Sequence, residues 1–263
     1  MKKNIIYLLL IIFSTFLNAN EKVVLQLKWF HQFQFAGYYA AKEKGFYDEV
    51  GLDVEIKQRD LKYNNIDEVI NGNAQYGVAD SILILYRLKQ QPVVIVSPIF
   101  QHSPSVFISL KKKNISSIYE LNNKDILFYP NDTDGFSLLA MIKKFDLDVN
   151  LIRERYKDDY MRLINNEVDA MPAYIANEPF LLKEKGYDVN IINPNNYGFD
   201  IYGDMLFTNE DEAKNYPIRV EKFKKATLKG WKYALENKEE IIQLISEKYS
   251  KEKSIEHLRY EAN

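Results

Sequence analysis

Cysteine is absent from all 263 residues. Its absence removes disulfides, zinc–thiolate sites, iron–sulfur clusters and thiol nucleophiles together. Histidine is nearly as scarce, with three residues, so no His/Glu cluster is available from which to build a metal centre. Charge of one sign is lacking too. Lys and Arg number 35 against 37 Asp and Glu, a formal net charge of −2, which offers no basic face for nucleic acid. The one cationic run, Lys111-Lys112-Lys113, reads as a solvated loop. There is no Gly/Ser-rich linker, no low-complexity stretch and no short repeat. The only long apolar run is N-terminal, Ile5 to Phe13, and falls short of the roughly 20 residues a spanning helix needs.

That run is preceded by Lys2 and Lys3 and followed by "STFLNAN", with a small residue at Ala19. A positive start, a short apolar core and a small residue read as a secretory signal peptide over residues 1–19. An uncleaved anchor to the inner membrane is the alternative. No cysteine follows the run, so a lipoprotein anchor is excluded. The mature chain is then expected outside the cytoplasm, in the periplasm or its equivalent. At the other end, the sequence stops at "HLRYEAN" inside a helical pattern, and the chain reads as a fragment of something longer.

Between these ends, strand and helix patterns alternate. "KVVLQL", "GLDVEIK", "AQYGVAD" and "PVVIVSPIF" carry strand signals, and the segments between them carry helical ones. Residues 22–100 therefore read β-α-β-α-β-α-β, the pattern of a parallel sheet covered by helices. The alternation resumes in a second block with "SVFISL", "DILFYPN", "DAMPAYI" and "DVNIINP" as strands. From Tyr216 onward only helical patterns remain. Two blocks without a linker predict two lobes joined by strands, with crossings near Val106–Ser109 and near Tyr202–Phe207. The expected division is residues 20–107 and 206–263 in lobe 1 and residues 108–205 in lobe 2. A cleft between the lobes, at the carboxyl ends of strands, is where open α/β sheets bind ligands.

Several residues are placed at that cleft by the sequence. "WFHQFQFAGYY", from Trp29 to Tyr39, follows the first strand and is aromatic at six of its eleven positions. Trp29 would stack on a flat ligand, or else be a core tryptophan. Trp231, at helical spacing with Val220, Phe223 and Leu228, reads as core. Tyr38 and Tyr39 point about 100° apart on a helix, so one faces the cleft and one faces packing; Tyr38 is assigned to the cleft. His31, with Gln32 and Gln34, is a polar rim contact or a plain loop residue. Asp80 and Ser81 stand where a strand meets a helix and either cap that helix or touch ligand. Glu178, with Asn177 beside it, offers a carboxylate for a charge-assisted pair with an aminopyrimidine; its other reading is charge complementarity at a helix start. In "NDTDGFS", Thr133 is a small polar residue at a helix entry, while Asp132 and Asp134 would repel phosphate. A neutral or weakly cationic ligand is expected there. Tyr174, Tyr202 and Asp204 near the second crossing complete the expected wall.

"LQLKWFHQFQFAGYYAAKEKGFYDEVGLDVEI" resembles the opening of the NMT1/THI5-like family. That family groups thiamine-pyrimidine synthases with ABC-transporter substrate-binding proteins for thiamine precursors. "AQYGVADS" and "YIANEPF" resemble later blocks of the same family. The resemblance spans roughly residues 23–260. It implies an α/β, bilobal, type II periplasmic-binding-protein fold with two mainly parallel-sheet lobes and a cleft between them. It also implies a choice between two activities. The synthases use a lysine for pyridoxal phosphate, a reactive histidine and a cysteine-rich motif. Here these would fall at about Ala79, at about Leu83 and near "GFDIYGDML". None of the three parts is present. The expected function is therefore a binding protein for a thiamine-pyrimidine-like heterocycle, with no cofactor. Its partner would be an ABC permease or a membrane-bound signalling module. The same fold would also suit another small solute, such as an alkanesulfonate or a flavin-like compound.

Overall fold

The computed structural model describes residues 20–130, 134–154 and 159–263. The signal-peptide reading of residues 1–19 and the helix-entry reading of Thr133 lie outside the described residues. Among the described residues, no helix is long and apolar enough to cross a membrane.

The chain first builds β1 (Glu21–Gln26), α1 (Ala36–Glu43), β2 (Leu52–Lys57), α2 (Asn65–Ile70), β3 (Tyr76–Ala79), α3 (Leu83–Leu88) and β4 (Val93–Pro98). A second run follows with β5 (Ser105–Leu110), β6 (Asp125–Leu127), α4 (Phe136–Lys144), β7 (Asn150–Ile152), α5 (Met161–Ile164), β8 (Met171–Tyr174), α6 (Glu178–Glu184) and β9 (Val189–Ile192). The chain then returns through β10 (Met205–Asn209) and ends in four helices. These are α7 (Glu210–Asn215), α8 (Pro217–Glu236), α9 (Lys238–Lys248) and α10 (Ile255–Glu261).

The first sheet has the order β2-β1-β3-β10-β4. β1 is parallel to both β2 and β3. β10 is antiparallel to β3 and to β4, so β1 to β4 all run one way and β10 is wedged in against them. The second lobe repeats this plan. β5 is antiparallel to β8 and to β9, β6 is parallel to β7, and a parallel bridge from Ile126 to Ala170 ties β6 to the start of β8. In each lobe the one reversed strand is the strand by which the chain enters from the other. The uninterrupted parallel order read for residues 22–100 is thus broken by a single strand that arrives from more than a hundred residues later. Local periodicity carries no information about such an insertion.

Both faces of each sheet are covered. Val23, Leu25 and Tyr76 lie in one buried cluster with Phe223 and Ile241 from the terminal helices. Met205, Phe207, Ile66 and Leu83 form another cluster. In the second lobe, Phe107 and Phe128 pack to one side and Val106, Ile108 and Leu127 to the other. This explains why β5 is apolar without alternation: all of its six residues are buried, as in strands covered on both faces. In the first lobe, Tyr76 stacks on Phe223 with ring centroids 3.8 Å apart, and Tyr47 stacks on the other side of Phe223 at 5.0 Å. Each such contact contributes about 0.5–1.5 kcal/mol beyond area burial.

Helix α1 meets α8 at unusually close range. A Cβ on Gly37 would lie 2.2 Å from the Trp231 ring, and one on Gly230 would lie 2.2 Å from the Gly37 carbonyl oxygen. Trp231 is therefore a packing residue, as its spacing implied. Leu228, expected on the same face, is instead 42% exposed. The inward row of α8 runs through Phe223, Ala226, Thr227 and Gly230, one step away from Leu228.

The two connecting segments lie side by side. Asp204 O accepts from the backbone N–H groups of both Ile99 and Phe100 at 2.9 Å, and Gly203 N–H donates to Phe100 O at 2.9 Å. This short backbone ladder lies where the chain passes between the lobes. The first crossing thus precedes the expected Val106–Ser109, which sits inside β5 at the centre of the second-lobe sheet. Ser105, Val106 and Phe107 therefore belong to the second lobe, whereas the expected division put them in the first.

Candidate functional site

The functional candidates gather where strand ends meet between the lobes. Lys28 lies just beyond β1, Asp80 just beyond β3 and Tyr174 at the end of β8, while Asp204 immediately precedes the reversed strand β10. All four are therefore at the same end of their sheets. Side chains from the two lobes line a cavity holding about 530 Å³ of empty space, its open mouth included. Lys28, Trp29, Gln32, Gln34 and Asp80 come from the first lobe; Ser105, Tyr129, Asp134, Tyr174, Asn177 and Glu178 come from the second.

At the centre is Lys28. Its ammonium lies 3.2 Å from Asp80 and 3.2 Å from Asp204, and it donates to the Tyr174 hydroxyl at 3.0 Å. Tyr174 in turn donates to Asp204 at 2.9 Å. Burial pulls the Lys28 pKa down, but Asp204 and then Asp80 outweigh it and hold it well above the ordinary lysine value. Burial, reinforced by Asp204, also pushes the Tyr174 hydroxyl well up. Lys28 is thus a fixed cation and Tyr174 a neutral hydroxyl. A second cross-lobe ion pair joins Arg59 to Asp134 at 3.5 Å, so Asp134 faces a cation across the cleft.

The expected site residues divide into three groups. Trp29, Asp80, Tyr174, Asn177 and Glu178 all line the cavity. Asp204, 2% exposed, lies behind the wall and holds three of its members: Lys28, Tyr174 and, through Oδ2 at 2.7 Å, Gln34. Asp80 lines the cavity and also braces the turn that precedes α3. One carboxylate oxygen accepts from the Ile82 N–H at 3.1 Å in the turn leading into α3, and the other meets Lys28. Glu178 likewise accepts from the Tyr174 N–H at 2.9 Å at the head of α6 while facing the cavity.

The second group lies next to the cavity or away from it. His31 lines an adjoining polar pocket with Lys253 and His257. Its Nδ1 is 2.8 Å from the Tyr39 hydroxyl, and burial lowers its pKa. Ser81 donates to the Tyr202 carbonyl at 2.6 Å, and both residues line a different, outward-facing groove. Tyr202 is 52% exposed. The third group is Tyr38, which is 1% exposed in the first lobe's core, edge-on to Trp231 at 5.8 Å. Neither tyrosine of the pair lines the cavity, since Tyr39 stacks on Tyr249 with centroids 4.1 Å apart. Helix α1 is enclosed on both sides by α8 and α9, which a two-sided helical wheel does not anticipate.

Lys28 itself was not anticipated from sequence. A lysine ending a strand reads as a solvated terminus, and its two acids lie 52 and 176 residues away. Tyr129, at the other wall, carries no local signal either. Among the described residues no group of three or more His, Asp or Glu side chains is arranged to hold a metal ion.

Comparison with known proteins adds the following. A family model described as NMT1/THI5 like matches residues 32–241. The chain is 25% identical over 236 residues to the riboflavin-binding protein RibY of Chloroflexus aurantiacus, covering 85% of this chain and 65% of that one. It is also 25% identical over 233 residues to the formylaminopyrimidine-binding protein of Halalkalibacterium halodurans, covering 86% and 70%. The chain thus spans about two thirds of the length of these relatives. Among solved structures, the periplasmic aliphatic sulphonate binding protein SsuA from Escherichia coli matches with a TM-score of 0.72 at 12% identity, over 92% of this chain and 82% of that one. The periplasmic nitrate-binding protein NrtA from Synechocystis PCC 6803 matches with a TM-score of 0.69 at 15% identity, over 90% and 69%. At such identities the likeness is one of fold: the bilobal periplasmic-binding-protein fold.

Proposed function

The chain belongs to the NMT1/THI5-like family, and on that premise we propose that it is an extracytoplasmic solute-binding domain. It closes two lobes on a small, flat nitrogen heterocycle of the thiamine-pyrimidine kind. The observation that carries this reading is the inter-lobe cavity, with Trp29 on one wall and Tyr129 and Tyr174 on the other. Aromatic faces on both sides suit a planar ring. Glu178 offers carboxylate oxygens to the amino group of an aminopyrimidine, while the charges of Asp80 and Asp134 are shared with Lys28 and Arg59. The names of two relatives, one for formylaminopyrimidine and one for riboflavin, support a flat heterocycle in general and leave the ring system to experiment.

No bond is made or broken in this reading. A lysine that forms Schiff bases must be deprotonated to attack, whereas Lys28 is held as an ammonium between two carboxylates. The cleft lysine is therefore suited to tying lobes together and unsuited to pyridoxal phosphate chemistry. The output of binding is a shift in lobe closure, passed to an ABC permease or to a membrane-bound signalling module.

A thermal-shift panel tests the ligand class. It comprises thiamine, 4-aminopyrimidines, formylaminopyrimidines, riboflavin and taurine. Pyrimidines are expected to raise the melting temperature in a concentration-dependent way. If taurine alone does so, the heterocycle reading is wrong; if riboflavin alone does so, the ring system is a flavin.

A further inference from the structure

One buried polar atom of a cleft residue has no hydrogen-bond partner among the described residues. Gln32 is 3% exposed, lines the inter-lobe cavity, and its Oε1 is buried without a hydrogen-bond partner. Leaving a buried acceptor unpaired is costly, and such an atom calls for an explanation. The orientation of its amide is not arbitrary. The Asp204 carboxylate, ion-paired with Lys28, can only accept. Gln34 must therefore turn its NH2 toward Asp204, which it does at 2.7 Å from Oδ2. That leaves Gln34 Oε1 as the acceptor for the Gln32 NH2. Gln32 is then left with its oxygen unpaired, on a side chain that lines the cavity. A chain of two amides anchored on a carboxylate has a fixed polarity, and the atom it leaves unpaired is an acceptor oxygen.

We propose that Gln32 is a specificity-determining residue whose Oε1 accepts a hydrogen bond from an N–H on the bound heterocycle. Gln34 and Asp204 are positioning residues that keep that oxygen turned toward the ligand. The proposal rests on the solute-binding reading above and narrows it. The ligand must carry an exocyclic amine or a ring N–H where it meets Gln32. An acceptor-only analogue would place two oxygens, or an oxygen and a nitrogen lone pair, against each other. A site built to pair a ligand N–H rejects the analogue that lacks it far more strongly than it rejects a change of size.

The test uses matched ligand pairs on the intact protein. Binding is measured by titration calorimetry for 4-amino-2-methylpyrimidine against its 4-methoxy counterpart, and for riboflavin against N3-methylriboflavin. In each pair the first compound carries the N–H and the second does not. Whichever pair binds, the N–H member is expected to bind at least about tenfold more tightly. In Gln32→Leu that ratio should fall to within about threefold. In Gln34→Leu the Gln32 amide is released to turn either way. Its ratio should also collapse, while the acceptor-only ligand binds as well as it does to the wild type, or better. A merely structural role for Gln34 would weaken both ligands alike. The ligand pairs on the wild type decide the matter even where a variant fails to fold. Equal affinity within every pair that binds, or an unchanged ratio in a folded Gln32→Leu, overturns the proposal and leaves the solute-binding reading standing. If no N–H-bearing heterocycle binds at all, both fall together.

Discussion

Two ionic networks, each centred on a buried carboxylate, invite comparison, because they are chemically alike and differ in what they join. In the first lobe, Arg219 pairs with Glu212 and donates to it through Nε at 2.7 Å. Tyr76 donates to the same carboxylate at 2.9 Å, and Glu21 accepts from Arg219 at 3.1 Å. Every member lies on or against the first sheet. At the cleft, Lys28 pairs with Asp80 and Asp204, and Tyr174 donates to Asp204. Here one member, Tyr174, comes from the second lobe. A cation, carboxylate oxygens and a tyrosine hydroxyl thus form a fold-internal clasp in one place and an inter-lobe clasp in the other. Desolvation makes either arrangement expensive, and breaking one by removing a single partner leaves an uncompensated charge. In the first case that cost falls on folding alone; in the second it also falls on the closed state that would hold ligand.

The comparison is broken most directly at Asp204. Asp204→Ala removes the partner of Lys28, Tyr174 and Gln34 at once. The expected loss of stability is about 3–5 kcal/mol by urea unfolding, together with loss of ligand-induced thermal shift. Retained binding with wild-type affinity would mean the clasp does not organise the cleft. Glu212→Gln should lower stability by about 1–3 kcal/mol, because Arg219 loses its buried carboxylate and keeps only the exposed Glu21 as counter-charge. Its effect on ligand Kd should stay within about twofold, because the site is remote and shares no partner with this network. A matching loss of affinity would show that the two networks are not separable.

How legible these networks were in the sequence differs in the same way. The two α/β blocks and the cleft at strand ends follow from alternation of patterns, which is local. The expected first crossing falls a few residues late, inside β5, because an apolar strand does not show from its own sequence which sheet it joins. Trp29, Asp80 and Glu178 were legible because each follows or opens an element that aims it at the cleft. Lys28 was not, since its burial depends on Asp80 and Asp204, brought in by folding. Tyr38, expected at the cleft, lies in the core like Tyr39 because the helix that carries them is covered by α8 and α9, with close contact to α8 at Gly37 and Gly230. The reversed strand β10 has no local mark at all, being an ordinary apolar strand until its partners are known.

A third clasp offers a smaller, pH-dependent effect. His257 is 2% exposed in α10, stacked on Phe180 of α6 at 4.6 Å. Burial, then Lys253, pushes its pKa from 6.5 down to about 3. Glu261, on the same helix, is close by and has its own pKa raised by burial, against the pull of Lys253. The unfolded chain therefore takes up a proton at His257 well before the folded one does. Its contribution to stability is complete above pH 6.5 and is lost as pH falls toward 3, by at most about 1.4 kcal/mol per pH unit. His257→Phe keeps the stack on Phe180 and removes the titration. Its melting temperature should fall less than that of the wild type between pH 6.5 and 5. An equal fall would assign the acid limb to other groups.

The smallest expected effect separates a residue that serves the fold from one that serves the cleft. Trp29 is partly buried and edge-on to Phe30 at 5.3 Å, yet it also lines the cavity. Trp29→Phe keeps an aromatic face and reduces its area. For a stacking platform, ligand affinity should fall by about two- to tenfold, in line with the 0.5–1.5 kcal/mol of ring contacts, while the urea midpoint of the free protein hardly moves. For a core tryptophan the pattern would invert, because a ring too small for its socket leaves a cavity whose cost appears in the unliganded protein. Measuring both quantities on the one variant tells a wall of the cleft from a pillar of the lobe. That is the distinction the Arg219 and Lys28 networks draw with charge, drawn here with a neutral ring.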